Sequence, residues 1–413
     1  MDDILIIGAG QAGMQIAVSL REHGFTGPIT LAGSERATPY QRPPLSKGYL
    51  SGEADLESLE LRAQSFYDER NIAVRCDDAV VSVAFDGDSG VAMTASGARI
   101  PFTQLALTPG SEPRRITVAG SDLAGVLYLR DLADADELKV RWGSANNVVV
   151  IGGGFIGLEV AAAARKASKT VTVLEAADRL IARAVSPITS EFFRQAHSRR
   201  GIDVRLSVQV SAILGADGVV TGVLLAGGEV VPADIVLVGI GVIPRSALAE
   251  QLGLELAGGA IVVDEFARTS IPRIVAAGDA VLMPHPLGRP GMVRLESVQN
   301  AVDQAKVAAA TLMGVREPYR AVPWFWSDQA DLKLQIAGLS TGFDQTVVRG
   351  DPDDDHFSVL YYDRGTLIAI DTVNDASDYM VVRRALGQGA TISPELAADT
   401  SVSLKSLLVA ATV

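Results

Sequence analysis

The chain has 413 residues, which at roughly 150 residues per domain means two to three domains, and its 48% hydrophobic content supplies several cores. Thirty-six basic and 49 acidic residues leave a net charge of −13, so the molecule as a whole repels nucleic-acid phosphates and anionic membranes. Cys76 is the single cysteine, which excludes an intramolecular disulfide, a zinc cluster or an iron–sulfur cluster built from this chain alone, and any redox chemistry needs another centre. The start, Met1-Asp2-Asp3, lacks the basic segment of a secretory leader, and no apolar stretch reaches the ~18 residues of a membrane span, so a cytoplasmic protein is expected.

Residues 4–7 form a β-branched apolar run suited to a buried parallel strand, and they lead straight into Gly8-Ala9-Gly10-Gln11-Ala12-Gly13. A helix over 14–23 is predicted next, with Gly24 at its end, then a strand over 29–31 that leads to Glu35. Strand, G-x-G-x-x-G, helix, strand and acid make a dinucleotide-binding unit. Gly8 permits the tight turn, Gly10 lets a pyrophosphate approach, Gly13 lets helix and strand pack closely, and Glu35 accepts from ribose hydroxyls.

The same unit recurs. A strand over 148–151 enters Gly152-Gly153-Gly154-Phe155-Ile156-Gly157, whose fingerprint glycines are Gly152, Gly154 and Gly157. An alanine-rich helix to about Lys166 and a strand over 171–174 bring the chain to Glu175. One such motif is a weak signal; two, each in its strand–helix context, are a strong one. Two dinucleotide sites imply two dinucleotides, and FAD is a partner for a nicotinamide cofactor in such folds. Further on, residues 274–277 read as a strand ending in Gly278-Asp279, where the carboxylate is placed to accept from a ribityl chain.

Several longer motifs accompany these. They are Pro39-Tyr40-Gln41-Arg42-Pro43-Pro44-Leu45-Ser46-Lys47, Glu159 after the second glycine motif, Gly278-Asp279, Arg294-Leu295-Glu296-Ser297-Val298-Gln299-Asn300-Ala301 and Pro323-Trp324-Phe325-Trp326-Ser327-Asp328-Gln329. With them the sequence resembles, over nearly its whole length, the FAD-dependent NADH:ferredoxin reductases of oxygenase systems. The resemblance implies that Arg42, Pro44 and Lys47 approach the flavin, Asp279 the ribityl chain and Val298 the pyrimidine end of the ring. Glu159 would then stand opposite Lys47 where nicotinamide stacks. From spacing alone, Lys47 reads as a solvated surface lysine and Glu159 as a helix-face carboxylate. Trp324 and Trp326 alternate as strand neighbours on one face do, either in core packing or flanking a nicotinamide pocket. Two segments depart from the family pattern: Leu107-Thr108-Pro109-Gly110 replaces the usual Ala-Thr-Gly, and Ala330 stands where an aromatic residue is common.

The expected fold is α/β, with two Rossmann-like dinucleotide-binding domains in a glutathione-reductase-like arrangement and a C-terminal α+β domain. An FAD domain is placed at 1–109 and 241–317, an NAD domain at 110–240, and the C-terminal domain at 318–413. In the last, strands over 357–362 and 366–370 precede an amphipathic helix over 379–386, and 351–355, rich in aspartate, reads as a solvated loop with no metal site. Glu175 favours NADH over NADPH, an inference that nearby Arg179 weakens. The expected partner is a small acidic iron–sulfur ferredoxin docking near Arg289, taken as exposed in a Pro/Gly-rich loop. Neither nucleic acid nor membrane is expected to bind, and the chain would be a monomer or weak dimer. The competing readings are a rubredoxin reductase and a redox-signalling flavoprotein similar to apoptosis-inducing factor. A thiol-disulfide reductase is disfavoured because it needs a cysteine pair, and a related single-cysteine oxidase because Cys76 lies far in sequence from the Pro39 to Lys47 motif.

Overall fold

The computed structural model describes residues 3–410, so the Met1-Asp2 start on which the leader argument rests lies outside the described residues. The chain forms two compact units: residues up to Gln41 with Leu56–Glu112 and Val242–Pro323, and Arg42–Asp55 with Pro113–Gly241 and the residues from Trp324 on.

The first unit is built on a five-stranded parallel sheet in the order Ile274–Ala276, Gln104–Leu107, Ile4–Ile7, Ile29–Ala32, Ile72–Arg75. Its strands read as continuous apolar runs because both faces are covered. Ile4, Ile6 and Leu31 pack with Met14, Ile16 and Leu20 of helix Gln11–Glu22 and with Ala305 and Ala308 of helix Val298–Leu312. Leu5, Ile7 and Leu107 pack on the other face with Val83, Ala92 and Phe102, which belong to a three-stranded antiparallel meander.

In the second unit Asp203–Arg205, Thr170–Leu174, Asn147–Ile151, Ile235–Val238 and Val126–Leu127 form another parallel sheet, in that order. Helix Phe155–Lys166 buries Leu158, Val160, Ala161 and Ala164, and a second antiparallel meander, 210–232, covers the other face. The internal duplication therefore extends past the glycine motifs to the meander, whose short strands carry no fingerprint.

The same unit holds a five-stranded antiparallel sheet in the order Trp324–Gln329, Leu332–Gly338, Thr366–Val373, His356–Asp363, Gln345–Asp351. Helix Ala376–Gln388 lays Tyr379 and Val382 against Leu360 and Ile370. Ala330 adopts φ 59° in the two-residue turn between Gln329 and Leu332, so that departure from the family pattern falls on a hairpin tip. In the aspartate-rich stretch Asp351, Asp353 and Asp354 are exposed, as a solvated loop requires, while Asp355 accepts from Arg199 at 2.9 Å and Arg200 at 2.7 Å. No helix among the described residues is long and apolar enough to cross a membrane.

Candidate active site

In the first unit the three fingerprint glycines have two kinds of surroundings. Gly8 turns at φ 114°, and a Cβ there would lie 2.0 Å from the carbonyl oxygen of Thr108; at Gly13 it would lie 2.0 Å from the Gly8 carbonyl oxygen. A Cβ on Gly10 would meet nothing within 4 Å. Gly8 and Gly13 are thus tight because protein packs on them, whereas Gly10 has open space of the kind a pyrophosphate needs in such a motif. Helix Gln11–Glu22 starts there with no side-chain cap and no acid in its first turn, which leaves its amides and dipole for an anion. Thr108 closes the back of this turn: its Oγ1 donates to the Gly8 carbonyl at 2.9 Å.

Glu35 follows the second strand and accepts a 2.5 Å bond from the Tyr40 hydroxyl. Asp279 follows Gly278, whose φ is 90° and whose added Cβ would come within 3.4 Å of Ala12 Cβ, so the Gly-Asp return runs beside the first helix. The Ser111 hydroxyl donates to Asp279 Oδ2 at 3.2 Å, and Arg294 donates to the Asp279 carbonyl. Val298 opens its helix behind the Ser297 cap.

The second cradle repeats these surroundings. A Cβ would lie 2.4 Å from the Gly239 carbonyl oxygen at Gly152 and 2.4 Å from the Gly152 carbonyl oxygen at Gly157, while at Gly154 the nearest atom stands 4.0 Å away. Glu175 holds the motif from below, accepting from the Gly153 amide at 2.6 Å and the Ala177 amide at 2.7 Å. Arg179 is turned into the following loop, donating to the carbonyls of Val185 and Ala182 and to Ser190, which removes it as a ready phosphate ligand beside Glu175.

Lys47 and Glu159 meet within the second unit, Nζ to Oε2 at 2.8 Å, with Glu159 6% and Lys47 23% exposed at the side chain. Lys47 sits between the 3₁₀ turn Pro43–Ser46 and helix Gly48–Ser51. Neither of the spacing-based readings describes this pair, since the carboxylate is buried and the ammonium is fixed on it. Sequence reasoning missed the other two ligands of that carboxylate: Ser46 Oγ donates to Oε2 at 2.5 Å and Ser327 Oγ to Oε1 at 2.7 Å. A signal existed, because both serines lie in the long motifs. Arg42 donates to the Arg130 carbonyl at 2.8 Å, with Pro44 beside it in the 3₁₀ turn.

Trp324 and Trp326 do share a face, with ring centroids 5.5 Å apart and Arg383 over Trp324. It is Phe325, on the opposite face, that packs on Phe155 at 4.5 Å, next to the open Gly154. Cys76 lies at the Glu35 end of the first unit; burial, with Glu35 and Asp77, pushes its thiol up and so disfavours the thiolate. Arg289 is not the exposed loop residue expected from its Pro/Gly surroundings. It is half-buried, and its charge, after burial, lowers the pKa of His285.

Comparison with known proteins shows the family of the chain. Residues 2–305 match the family described as pyridine nucleotide-disulphide oxidoreductase, and residues 324–408 match the reductase C-terminal family. Rhodocoxin reductase of Rhodococcus erythropolis is 48% identical over 97% of this chain and 93% of its own length. Putidaredoxin reductase CamA of Pseudomonas putida is 38% identical over 99% and 97%. Among solved structures, the ferredoxin reductase for the CYP199A2 system from Rhodopseudomonas palustris superposes with a TM-score of 0.94 at 44% identity, covering 98% of this chain and 99% of that one. The covalent putidaredoxin reductase–putidaredoxin complex gives 0.94 at 38% identity, covering 98% of each. The α/β fold class and the oxidoreductase class expected from the sequence both stand, and relatives named as reductases do not favour the signalling alternative. The chain belongs to the pyridine nucleotide-disulphide oxidoreductase family and, within it, to the FAD- and NAD(P)-linked ferredoxin reductases that carry a reductase C-terminal domain.

Proposed function

We propose that this reductase takes hydride from NADH and passes electrons singly to a small acidic iron–sulfur ferredoxin of an oxygenase system. FAD is assigned to Gly8, Gly10, Gly13, Glu35 and Asp279, with Arg42, Pro44, Lys47 and Val298 toward its ring; NADH is assigned to Gly152, Gly154, Gly157 and Glu175. The observation that carries this reading is the pair of cradles, each tight at its outer glycines and open at the middle one. Bound flavin supplies the change from a two-electron donor to a one-electron acceptor, chemistry that the lone, thiol-protonated Cys76 does not offer.

The chain's own residues then have separable tasks. Free amides at the two helix starts hold the phosphates, and the carboxylates of Glu35 and Glu175 take ribose hydroxyls. The Lys47 ammonium, fixed by Glu159, favours negative charge that develops next to it, and the buried carboxylate keeps that ammonium in one place. Glu175 sets the preference for NADH by repelling a 2′-phosphate, and the engagement of Arg179 elsewhere leaves that repulsion unopposed. Because NADH is the reductant, a cytoplasmic setting is proposed with it. The ferredoxin is placed at the 285–291 loop around Arg289.

Anaerobic titration of the purified protein with NADH, followed by mixing with candidate ferredoxins, tests the reading. One equivalent of FAD, full reduction by NADH and rapid ferredoxin reduction are expected. Recovery of FMN, or a reduced protein that passes no electrons to any acidic ferredoxin, would overturn it.

A further inference from the structure

Strand Trp324–Gln329 places Phe325, Ser327 and Gln329 on one face, and each meets a residue of the second glycine unit. Phe325 packs on Phe155, Ser327 Oγ reaches Glu159 Oε1 at 2.7 Å, and Gln329 Oε1 lies 2.7 Å from His197 Nε2. Gln329 Nε2 stands 3.2 Å from Ser327 Oγ, which closes the series into one unbroken chain from His197 to Glu159. It is shut off from bulk solvent, since His197, Gln329 and Ser327 are all 0% exposed.

The chain has only one consistent direction. A carboxylate accepts, so Ser327 donates its single hydrogen to Glu159 and has only lone pairs left for Gln329. Gln329 therefore presents its amide nitrogen to Ser327 and its oxygen to His197, and His197 donates from Nε2. Every donor points toward Glu159. His197 Nδ1 is left bare, with no hydrogen-bond partner among the described residues. Burial, helped by the charge of Arg200, lowers the pKa of His197, and the opposing effects of Gln329 and Asp331 do not cancel this. A second proton would put a buried N–H at Nδ1 with no acceptor for it among the described residues. Arg200 and Asp331, the charged groups facing the imidazole, are tied to each other at 2.6 Å.

We propose that His197 is a positioning residue for Glu159, acting through Gln329 and Ser327 to hold the carboxylate so that Oε2 faces Ser46 and Lys47. Without the Nε2–H, nothing orients the Gln329 amide. Turned over, its oxygen takes the Ser327 hydrogen, and Glu159 loses the donor on Oε1. The inference rests on the reading that Lys47 and Glu159 serve the hydride step, and the test separates the two.

The chain has four histidines, so nitrogen-15 spectra of the imidazoles are assignable, with His197→Gln identifying the signal of His197. The parent should show protonated Nε2 and bare Nδ1 from pH 6 to 9, and Ser327→Ala should shift the Nε2 resonance although it does not touch the ring. In anaerobic stopped-flow reduction by NADH, His197→Leu should be slowed about fivefold, the scale of one hydrogen bond, and its pH profile displaced. His197→Gln, which keeps an N–H, should stay within about twofold of the parent. Should the Leu variant not fold, Gln329→Glu keeps the contact with His197 but cannot donate to Ser327, and it should reproduce the slow phenotype.

Parent rates and pH profiles in both His197→Leu and Gln329→Glu, alongside a slow Glu159→Gln, would overturn the inference and leave the Lys47–Glu159 reading intact. A Glu159→Gln enzyme as fast as the parent would instead overturn that reading, and the His197 resonance in Ser327→Ala then decides the chain: a shift supports the coupling, an unmoved signal refutes it.

Discussion

Glu175 shows how much one side chain is asked to do. Its two oxygens are both engaged by backbone amides, at Gly153 and Ala177, so the charge is fixed at the end of the strand rather than free to swing. Removing it as Glu175→Ala should weaken NADH and relieve repulsion of NADPH, changing the ratio of kcat/KM values by ~1–3 kcal/mol, the scale of charged hydrogen bonds. An unaltered ratio would show that another residue sets the preference. The acid itself was legible, because it follows its glycine motif at the expected spacing. Its two amide anchors were not, and neither was the commitment of Arg179 to the 180–190 loop, since a guanidinium beside a carboxylate in sequence says nothing about where it turns. Ser46 and Ser327 lie in the long motifs, but their spacing does not show which carboxylate they reach. Hydroxyls on a distant carboxylate leave no periodicity to find.

Among elements, the glycine turns allow a paired experiment. Gly13→Ala drives a methyl into the Gly8 carbonyl, so the protein should lose ~1–3 kcal/mol of stability and its FAD together. Gly10→Ala meets no protein atom, so thermal melts of the apoprotein should stay near the parent while FAD affinity falls. Equal apoprotein melts for the two variants would contradict the assignment of packing to one glycine and ligand approach to the other. Helix Pro187–Arg199 is joined to the antiparallel sheet through a buried carboxyl. Asp371, buried in strand Thr366–Val373, accepts from Thr189 at 3.0 Å and from Tyr361, whose hydroxyl in turn accepts from the amide of Ser186. Burial lifts the Asp371 carboxyl to about 7. The folded state therefore keeps a proton that the unfolded chain gives up near the ordinary value of about 4, and this contribution to stability is lost as pH rises from about 4 to about 7. Asp371→Asn should gain on the parent by about 2–4 kcal/mol between pH 5 and pH 8 in urea melts, and a gap that does not widen would place the carboxyl outside that range. The strands and helix at this end were readable from alternation and period. The cross-links between them were not, because buried polar pairs form only once the elements have met.

For the whole molecule, the two copies of the glycine unit and the antiparallel tail were legible because each rests on local pattern. The placement of Arg42–Asp55 with the second unit was not, since it depends on partners far along the chain: Lys47 with Glu159, Tyr49 with Asp136 at 2.6 Å and Glu53 with Lys166 at 3.1 Å.

A net charge of −13 opposes an acidic ferredoxin, so association needs a local basic face. Of the basic residues between 285 and 320, Arg294 is paired with Glu296 at 2.5 Å and Lys306 with Asp303 at 3.0 Å. Arg316 and Arg320 are exposed but lie beyond the far end of helix Val298–Leu312, whose 15 residues span about 22 Å at 1.5 Å per residue. Arg289 is half-buried, yet its loop joins strand Val281–Pro284, which begins two residues after Asp279. Arg289→Glu should therefore slow ferredoxin reduction about tenfold or more at low salt, and Arg289→Gln less, while Arg316→Glu has a smaller effect. NADH-dependent reduction of a small neutral quinone should stay near the parent rate in all three. The parent's ferredoxin rate should fall as salt shortens the Debye length below about 10 Å, and the Arg289→Glu rate should fall less steeply. Equal rates for parent and Arg289→Glu across the salt series would remove Arg289 from the docking face, and a parent rate insensitive to salt would remove electrostatic steering from the account of this enzyme.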